Sequence, residues 1–177
     1  VYASLLTDLR ARRVPVRHPS DLCGKPLSFD KATLEVLSPC PDIDLTLHGN
    51  DNSIVLSLSL GSRRALLVGD AEQEEESRIL RRVAPNALRA DILKVGHHGS
   101  RTSSSSAFLD AVQPKLAVLS CGVRNRFGHP HPKTLAELTR RRISMLRTDL
   151  LGGILWETDG EKVWLSSAVR GEIKLGP

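Results

Sequence analysis

At 177 residues, 40% hydrophobic and 25% charged, the chain is long enough for one domain with a real core, or for half of a larger one, and too apolar to stay disordered. No apolar run approaches the roughly 20 residues that cross a bilayer, and residues 1–13 lack the apolar core of a signal peptide. The net charge of +5 is uneven: seven basic residues face one acid, Glu137, between Arg124 and Arg147, which suits an anionic partner such as nucleic acid or a solvated helix face.

In chain order, Tyr2 to Arg13 reads as a helix with Leu5, Leu6 and Leu9 at helical spacing, and Val14 to Val16 as a short strand stopped by Pro19. Ser20 to Phe29 reads as loop. Thr33 to Leu37 reads as a strand ended by Pro39 and Pro41, and Asp42 to Asn52 as a polar loop with His48 exposed. Cys23, Cys40 and Cys121 are odd in number and far apart, so idle or buried thiols are expected rather than a zinc knuckle or a disulfide. Ser53 to Leu60 and Arg64 to Val68 form a hairpin about Gly61-Ser62, the first alternating leucine with serine.

Glu72 to Val83 is then a helix, with Glu72, Glu74, Glu75 and Glu76 near the positive end of its dipole and Pro85 closing it. Asp91 to Val95 is a short strand, Ser103 to Val112 a helix, Leu116 to Ser120 a strand and Pro132 to Arg142 a helix with Pro132 in its first turn. Ser144 to Arg147, Gly153 to Thr158 and Glu161 to Ser167 finish as strands, the last two joined at Asp159-Gly160. A β-rich run followed by alternating strand and helix implies an α/β layered sheet with helices outside.

Three strand ends carry the chemistry. Asp70 follows Leu66-Leu67-Val68-Gly69, either as a carboxylate emerging at a site or as a cap of the next helix with Gln73 completing the box. His97 and His98 follow Lys94-Val95-Gly96, and imidazole is a common ligand of zinc-like metals. On extended backbone neighbouring side chains point apart, so one imidazole of the pair is expected to meet a metal while the other packs or hydrogen-bonds. Ser100 or Thr102 stands ready to cap the helix that follows. The third loop, Asn125-Arg126-Phe127-Gly128-His129-Pro130-His131-Pro132, brings four of the six histidines to two strand ends facing the same way as Asp70.

Leu67-Val68-Gly69-Asp70, Ile92 to Ser100, Gly128-His129-Pro130, Arg147-Thr148-Asp149 with Gly152, and Asn52-Ser53 together resemble the later motifs of the metallo-β-lactamase domain found in ComEC-type DNA-internalisation competence proteins. The likeness covers about residues 50–165. It implies a metallo-β-lactamase-like αββα sandwich, two divalent metal ions (zinc or manganese) and hydrolysis of DNA phosphodiesters during uptake. By position in the motifs, Asp70 would bridge the metals, His97 or His98 would ligate the second, and His129 would contact the substrate or transition state. Two cations would activate a shared water and stabilise the leaving oxygen. Ser100, Arg124, Asn125, Arg126 and His131 are the candidate substrate contacts, with Arg140 to Arg142 continuing a basic track along DNA, single-stranded or duplex.

The chain departs from that pattern in one respect. The superfamily's principal ligand motif should precede Asp70, yet residues 1–69 contain only His18 and His48, and Asp42, Asp44 and His48 lack its spacing. Residues 1–177 are therefore expected to be one partial domain, the C-terminal portion of a longer and membrane-embedded bacterial inner-membrane protein, itself soluble and inactive as a fragment; a degenerate copy is the other reading. A non-catalytic nucleic-acid-binding module and a hydrolase of another phosphoester remain as alternatives, and six aromatic residues are too few for a base-stacking platform.

Overall fold

The computed structural model describes residues 2–174. Helices α1 (Tyr2–Ala11) and α2 (Pro19–Leu22) precede strands β1 (Leu27–Phe29) and β2 (Ala32–Ser38), and a 3₁₀ turn over Gly49–Asn52 leads to β3 (Val55–Leu60) and β4 (Arg63–Leu67). There follow α3 (Gln73–Arg82), α4 (Pro85–Leu88), β5 (Ile92–Lys94), a tight turn over Gly96–Gly99, α5 (Ser106–Val112) and β6 (Leu116–Leu119). The chain continues through α6 (Pro132–Arg140), β7 (Ser144–Arg147), α7 (Thr148–Leu151), β8 (Ile154–Thr158), β9 (Val163–Ser167) and β10 (Gly171–Glu172).

Strands β1 to β7 lie side by side in sequence order in one seven-stranded sheet. The first four are antiparallel neighbours, and β4 through β7 are parallel, joined across the sheet by α3 and α4, α5 and α6. Alternation along each strand sends Leu66, Leu93 and Leu119 to one face, where Ile79 of α3, Phe108 of α5 and Leu138 of α6 close the core. The opposite residues Ala65, Ile92, Leu116 and Leu146 pack on Leu165 and the half-buried Ile154, Trp156 and Val163 of a second sheet, ordered β10-β9-β8. Helices, large sheet and small sheet are thus stacked as α, β and β layers. The two sheets are pinned at their turns, where Ser62 N–H donates to Gly160 O at 2.8 Å and a Cβ at Gly61 would meet Gly160 O at 2.6 Å.

Several expectations are corrected. Residues 14–16 form no strand, and the stretch read as loop holds α2 and β1. Helix α1 forms, but none of its described side chains is buried and Leu5 is exposed, so its leucine stripe has no counterpart among the described residues. Cys23 and Cys40 are joined in a disulfide, because Cys23 bridges Val36 beside β2 and the chain turns back at Pro39 to bring Cys40 within bonding reach. Among the described residues only Cys121 is a free thiol. Asp70 caps nothing: Glu72 stands at the N-cap of α3 and makes no side-chain cap. Glu75 and Glu76, read as dipole partners, are buried instead. Glu75 accepts the Ser38 hydroxyl, and Glu76 takes the amides of Ser104 and Ser105, which fixes the residues before α5.

Candidate functional site

The parallel strands β4, β5 and β6 end at one edge of the sheet, where open α/β sheets form clefts from the loops that follow. After β4 the backbone turns at Gly69, which has a φ of +53°, and a Cβ there would sit 3.1 Å from that of Ser53. Glycine lets the chain pass Ser53, whose hydroxyl accepts the Asp70 amide at 3.1 Å. Lys94, at the end of β5, donates to Gly69 O at 2.7 Å and places its ammonium 3.7 Å from Asp70 Oδ1. Burial pushes the Lys94 ammonium below its ordinary range, and the Asp70 carboxylate opposes that.

After β5, His97 and His98 both adopt left-handed backbone, with φ of 43° and 56°. This overturns the premise of an extended segment: the turn keeps both imidazoles at the site, with ring centroids 6.1 Å apart. His98 Nδ1 lies 2.6 Å from Ser120 O, and since a carbonyl only accepts, Nδ1 carries the proton and Nε2 keeps its lone pair. Nε2 lies 3.6 Å from Asp70 Oδ1. In the same manner His97 Nδ1 donates to Glu72 Oε1 at 2.7 Å, leaving its own Nε2 unspent. Burial works to raise the Glu72 carboxyl, but hydrogen bonds from Asn50, His97 and Thr102 outweigh it and hold it low. An imidazole held through one nitrogen by a carbonyl or carboxylate is oriented to ligate or hydrogen-bond through the other.

The loop after β6 is locked onto the histidine turn. Gly99 meets Pro130 so closely that a Cβ would lie 2.8 Å from the proline Cβ, and His131 N–H donates to Gly99 O at 2.8 Å. Thr134 then donates its hydroxyl to Ser100 O at 2.8 Å. The Asn125 side chain accepts the His129 amide at 2.9 Å and donates to the His129 carbonyl at 2.6 Å. His129 is thereby set 5.6 Å from His97 and 6.4 Å from His98, ring centre to ring centre, and Phe127 stacks with it at 6.1 Å. Its Nδ1 is buried without a partner, and burial, followed by the neighbouring imidazoles, lowers its pKa. A cleft of about 320 Å³ opens between His98, Cys121, Asn125, Phe127 and His129.

The structure therefore brings Asp70, His97, His98 and His129 together. Ser100 is buried with its hydroxyl on Thr102, Asn125 spends its amide on the His129 backbone, and His131 caps α6 by accepting the Lys133 amide at 3.2 Å. Those three side chains hold the loops, and of them only Asn125 also lines the cleft. Arg124 and Arg126 are exposed on the rim, Arg126 lying over the Phe127 ring at 5.1 Å. The basic track does not run on to Arg140, Arg141 and Arg142, which lie at the C-terminal end of α6 and just beyond it: Arg140 and Arg141 bind Glu137, and Arg141 also binds Asp110. Sequence reasoning missed Glu72, Lys94 and Phe127. Only the position of Glu72 two residues after Asp70 hinted at it.

Among the described residues, no three His, Cys, Asp or Glu side chains are grouped as a metal ion requires. Asp70 Oδ1 and His98 Nε2 are two donors, one short of the minimum for a catalytic site, and the Lys94 ammonium already approaches the same carboxylate. These residues by themselves do not make up a two-metal centre. A larger cavity, about 430 Å³, lies at the far edge of the sheet between Arg63, Arg89, Asp91 and Lys115, away from every imidazole.

The profile of the Metallo-beta-lactamase superfamily matches residues 5–123. The chain is 42% identical over 132 residues to ComE operon protein 3 of Bacillus subtilis (strain 168), covering 74% of this chain and 16% of that protein. It is 38% identical over 126 residues to Competence protein ComA of Neisseria gonorrhoeae, covering 71% and 18%. To Recombination protein 2 of Haemophilus influenzae it is 33% identical over 131 residues, covering 74% and 16%. The chain thus spans less than a fifth of these relatives' length.

Proposed function

The chain belongs to the metallo-β-lactamase superfamily, and from that premise we propose that it is the C-terminal part of a competence-protein domain that hydrolyses DNA phosphodiesters during DNA uptake. The observation that carries this reading is the meeting of Asp70, His97, His98 and His129 at the ends of three parallel strands, with both imidazoles of the pair held through Nδ1 so that Nε2 is free. Asp70 and His98 serve as donors toward zinc or manganese ions whose remaining donors come from outside residues 1–177. His97, oriented by Glu72, faces the same space, and His129 contacts a phosphate oxygen. With two donors the chain alone is inactive.

Among the described residues no helix is long and apolar enough to cross a membrane. The domain is a soluble part of an inner-membrane protein, and the Cys23–Cys40 disulfide supports its exposure to an oxidising compartment. A second reading, a nucleic-acid-binding module without catalysis, is favoured by the Lys94 ammonium beside Asp70. The test is a cleavage assay on single-stranded and duplex DNA, with manganese or zinc, using the chain extended upstream through the missing ligand motif. The hydrolase reading requires cleavage that Asp70→Ala abolishes. DNA binding with no cleavage by the extended protein would decide for the binding module.

A further inference from the structure

On the other side of the histidine loop, α3, α5 and α6 begin around a separate cavity of about 260 Å³. Its wall includes Gln73, Arg101, Ser104, Ser106, Lys133 and Glu137. We propose that this cavity is a phosphate-binding subsite that receives a backbone phosphate of the nucleic acid lying in the neighbouring cleft, an inference that rests on the DNA reading above.

The first ground is charge. Arg101 and Lys133 are exposed, and neither forms an ion pair among the described residues. The one acid in the wall, Glu137, is occupied: it accepts the Ser106 hydroxyl at 2.9 Å and binds Arg140 and Arg141. Below the serines, Glu76 is wholly buried and spent on the Ser104 and Ser105 amides, and burial pushes its carboxyl up toward the neutral form. The cavity is left with two uncompensated cations.

The second ground is independent of charge. Ser104 is 4% exposed, sits in left-handed backbone with a φ of 56°, and gives its amide to Glu76. Its side chain lines the cavity, and a hydroxyl can donate to an anion where the amide is already spent.

The third ground is place. Arg101 is three residues beyond His98, so their Cα atoms are no more than about 11 Å apart. Gln73 adjoins Glu72, which holds His97, and its amide donates to Thr102 O at 2.9 Å. Lys133 receives its amide cap from His131. One loop thus carries the imidazoles on one side and this cavity on the other, so that a strand whose phosphate lies at His129 passes Arg101 within a few nucleotides.

The test is an amide NMR titration of the full chain with inorganic phosphate and, separately, with a short oligothymidylate, together with salt-dependent affinity measurements. Arg101→Ala/Lys133→Ala is compared with Arg89→Ala/Arg142→Ala, which removes equal charge at the far edge of the sheet. Both ligands should shift the amides of residues 101–106 and 133–134 saturably. The first double variant should lose those shifts and lower the log–log salt slope for oligothymidylate by about 1.4, two contacts at roughly 0.7 each. The control should lower neither. Oligothymidylate binding with unchanged affinity and slope in Arg101→Ala/Lys133→Ala overturns the subsite and leaves the DNA reading standing. Phosphate filling the cavity while oligothymidylate does not bind supports the subsite and defeats the DNA reading.

Discussion

The two edges of the seven-stranded sheet are both polar, charged and concave, yet they differ in what their side chains have left to give. At the edge where β4 to β7 begin, Arg63 pairs with Asp91 at 3.2 Å, Arg64 spends its guanidinium on the carbonyls of Asn86, Ala87 and Arg89, and Asp91 also takes the Arg64 amide at 3.0 Å. At the edge where β4, β5 and β6 end, His97 and His98 are bound through one nitrogen only, and His129 Nδ1 is buried without a partner. The larger cavity belongs to the first edge and the unspent chemistry to the second. Volume is a poor guide to function here, because a cavity whose one carboxylate, Asp91, is already shared among Arg63, Lys115 and the Arg64 amide has little left to orient a ligand. Groups held in place but not used up are a better one.

The contrast can be sharpened by breaking each edge in turn. The largest effect is expected at the margin of the functional edge, where the Cys23–Cys40 disulfide closes a loop with a sequence separation of 17. Replacing both cysteines by serine should cost about 3 kcal/mol in denaturant unfolding, since the unfolded chain regains the freedom of that loop. Asp91→Ala should cost about 2 kcal/mol, by leaving Arg63 and the Arg64 amide unpaired, while oligothymidylate affinity stays as it was. A fall in affinity for that variant would erase the distinction between the edges.

Glu72→Ala should behave in the opposite way. It removes the acceptor that orients His97, so in the extended protein it should lower metal affinity or cleavage roughly 10- to 100-fold. Stability should change by less than about 1 kcal/mol, as read by urea melts. The smallest effect concerns Glu75, whose carboxyl burial drives up to about 7, against the pull of Arg78 and Arg82 and with help from Asp51 and Glu74. A carboxyl with a folded pKa above its unfolded value favours the native state most when protonated. Its contribution is therefore present below about pH 4.5 and is lost as the pH rises through 7. Unfolding free energy should decline by on the order of 1–2 kcal/mol across that window, and Glu75→Gln should flatten the decline.

The layered fold was legible because its strands are short apolar runs, Leu116–Leu119 for one, and because Pro132 and the Asp159-Gly160 turn punctuate them. The cluster of Asp70 with His97, His98 and His129 was legible for a related reason: each follows such a run, and parallel strands deliver their ends to one edge. What stayed hidden depends on conformations and distances that residue order does not carry. Gly96 to Gly99 has no periodicity from which the left-handed turn at both histidines could be read. The run of arginines looked continuous, but nine residues of α6, roughly 13 Å, carry Arg140 to Arg142 away from Arg124 and Arg126. Cys23 and Cys40 meet only because the chain pairs Cys23 with Val36. Glu72 was lost among four acids whose common dipole explanation hid three separate tasks.

The central claim is that Asp70 and His98 are a share of a metal centre that residues 1–177 do not complete. Elemental analysis of metal after dialysis tests it most directly, on the chain alone, on the upstream-extended protein, and on Asp70→Ala in each. The account predicts less than one equivalent of zinc or manganese on the chain alone, about two on the extended protein, and loss of bound metal there with Asp70→Ala. Two tightly held equivalents on the 177-residue chain, or an extended protein whose metal content ignores Asp70→Ala, would contradict it.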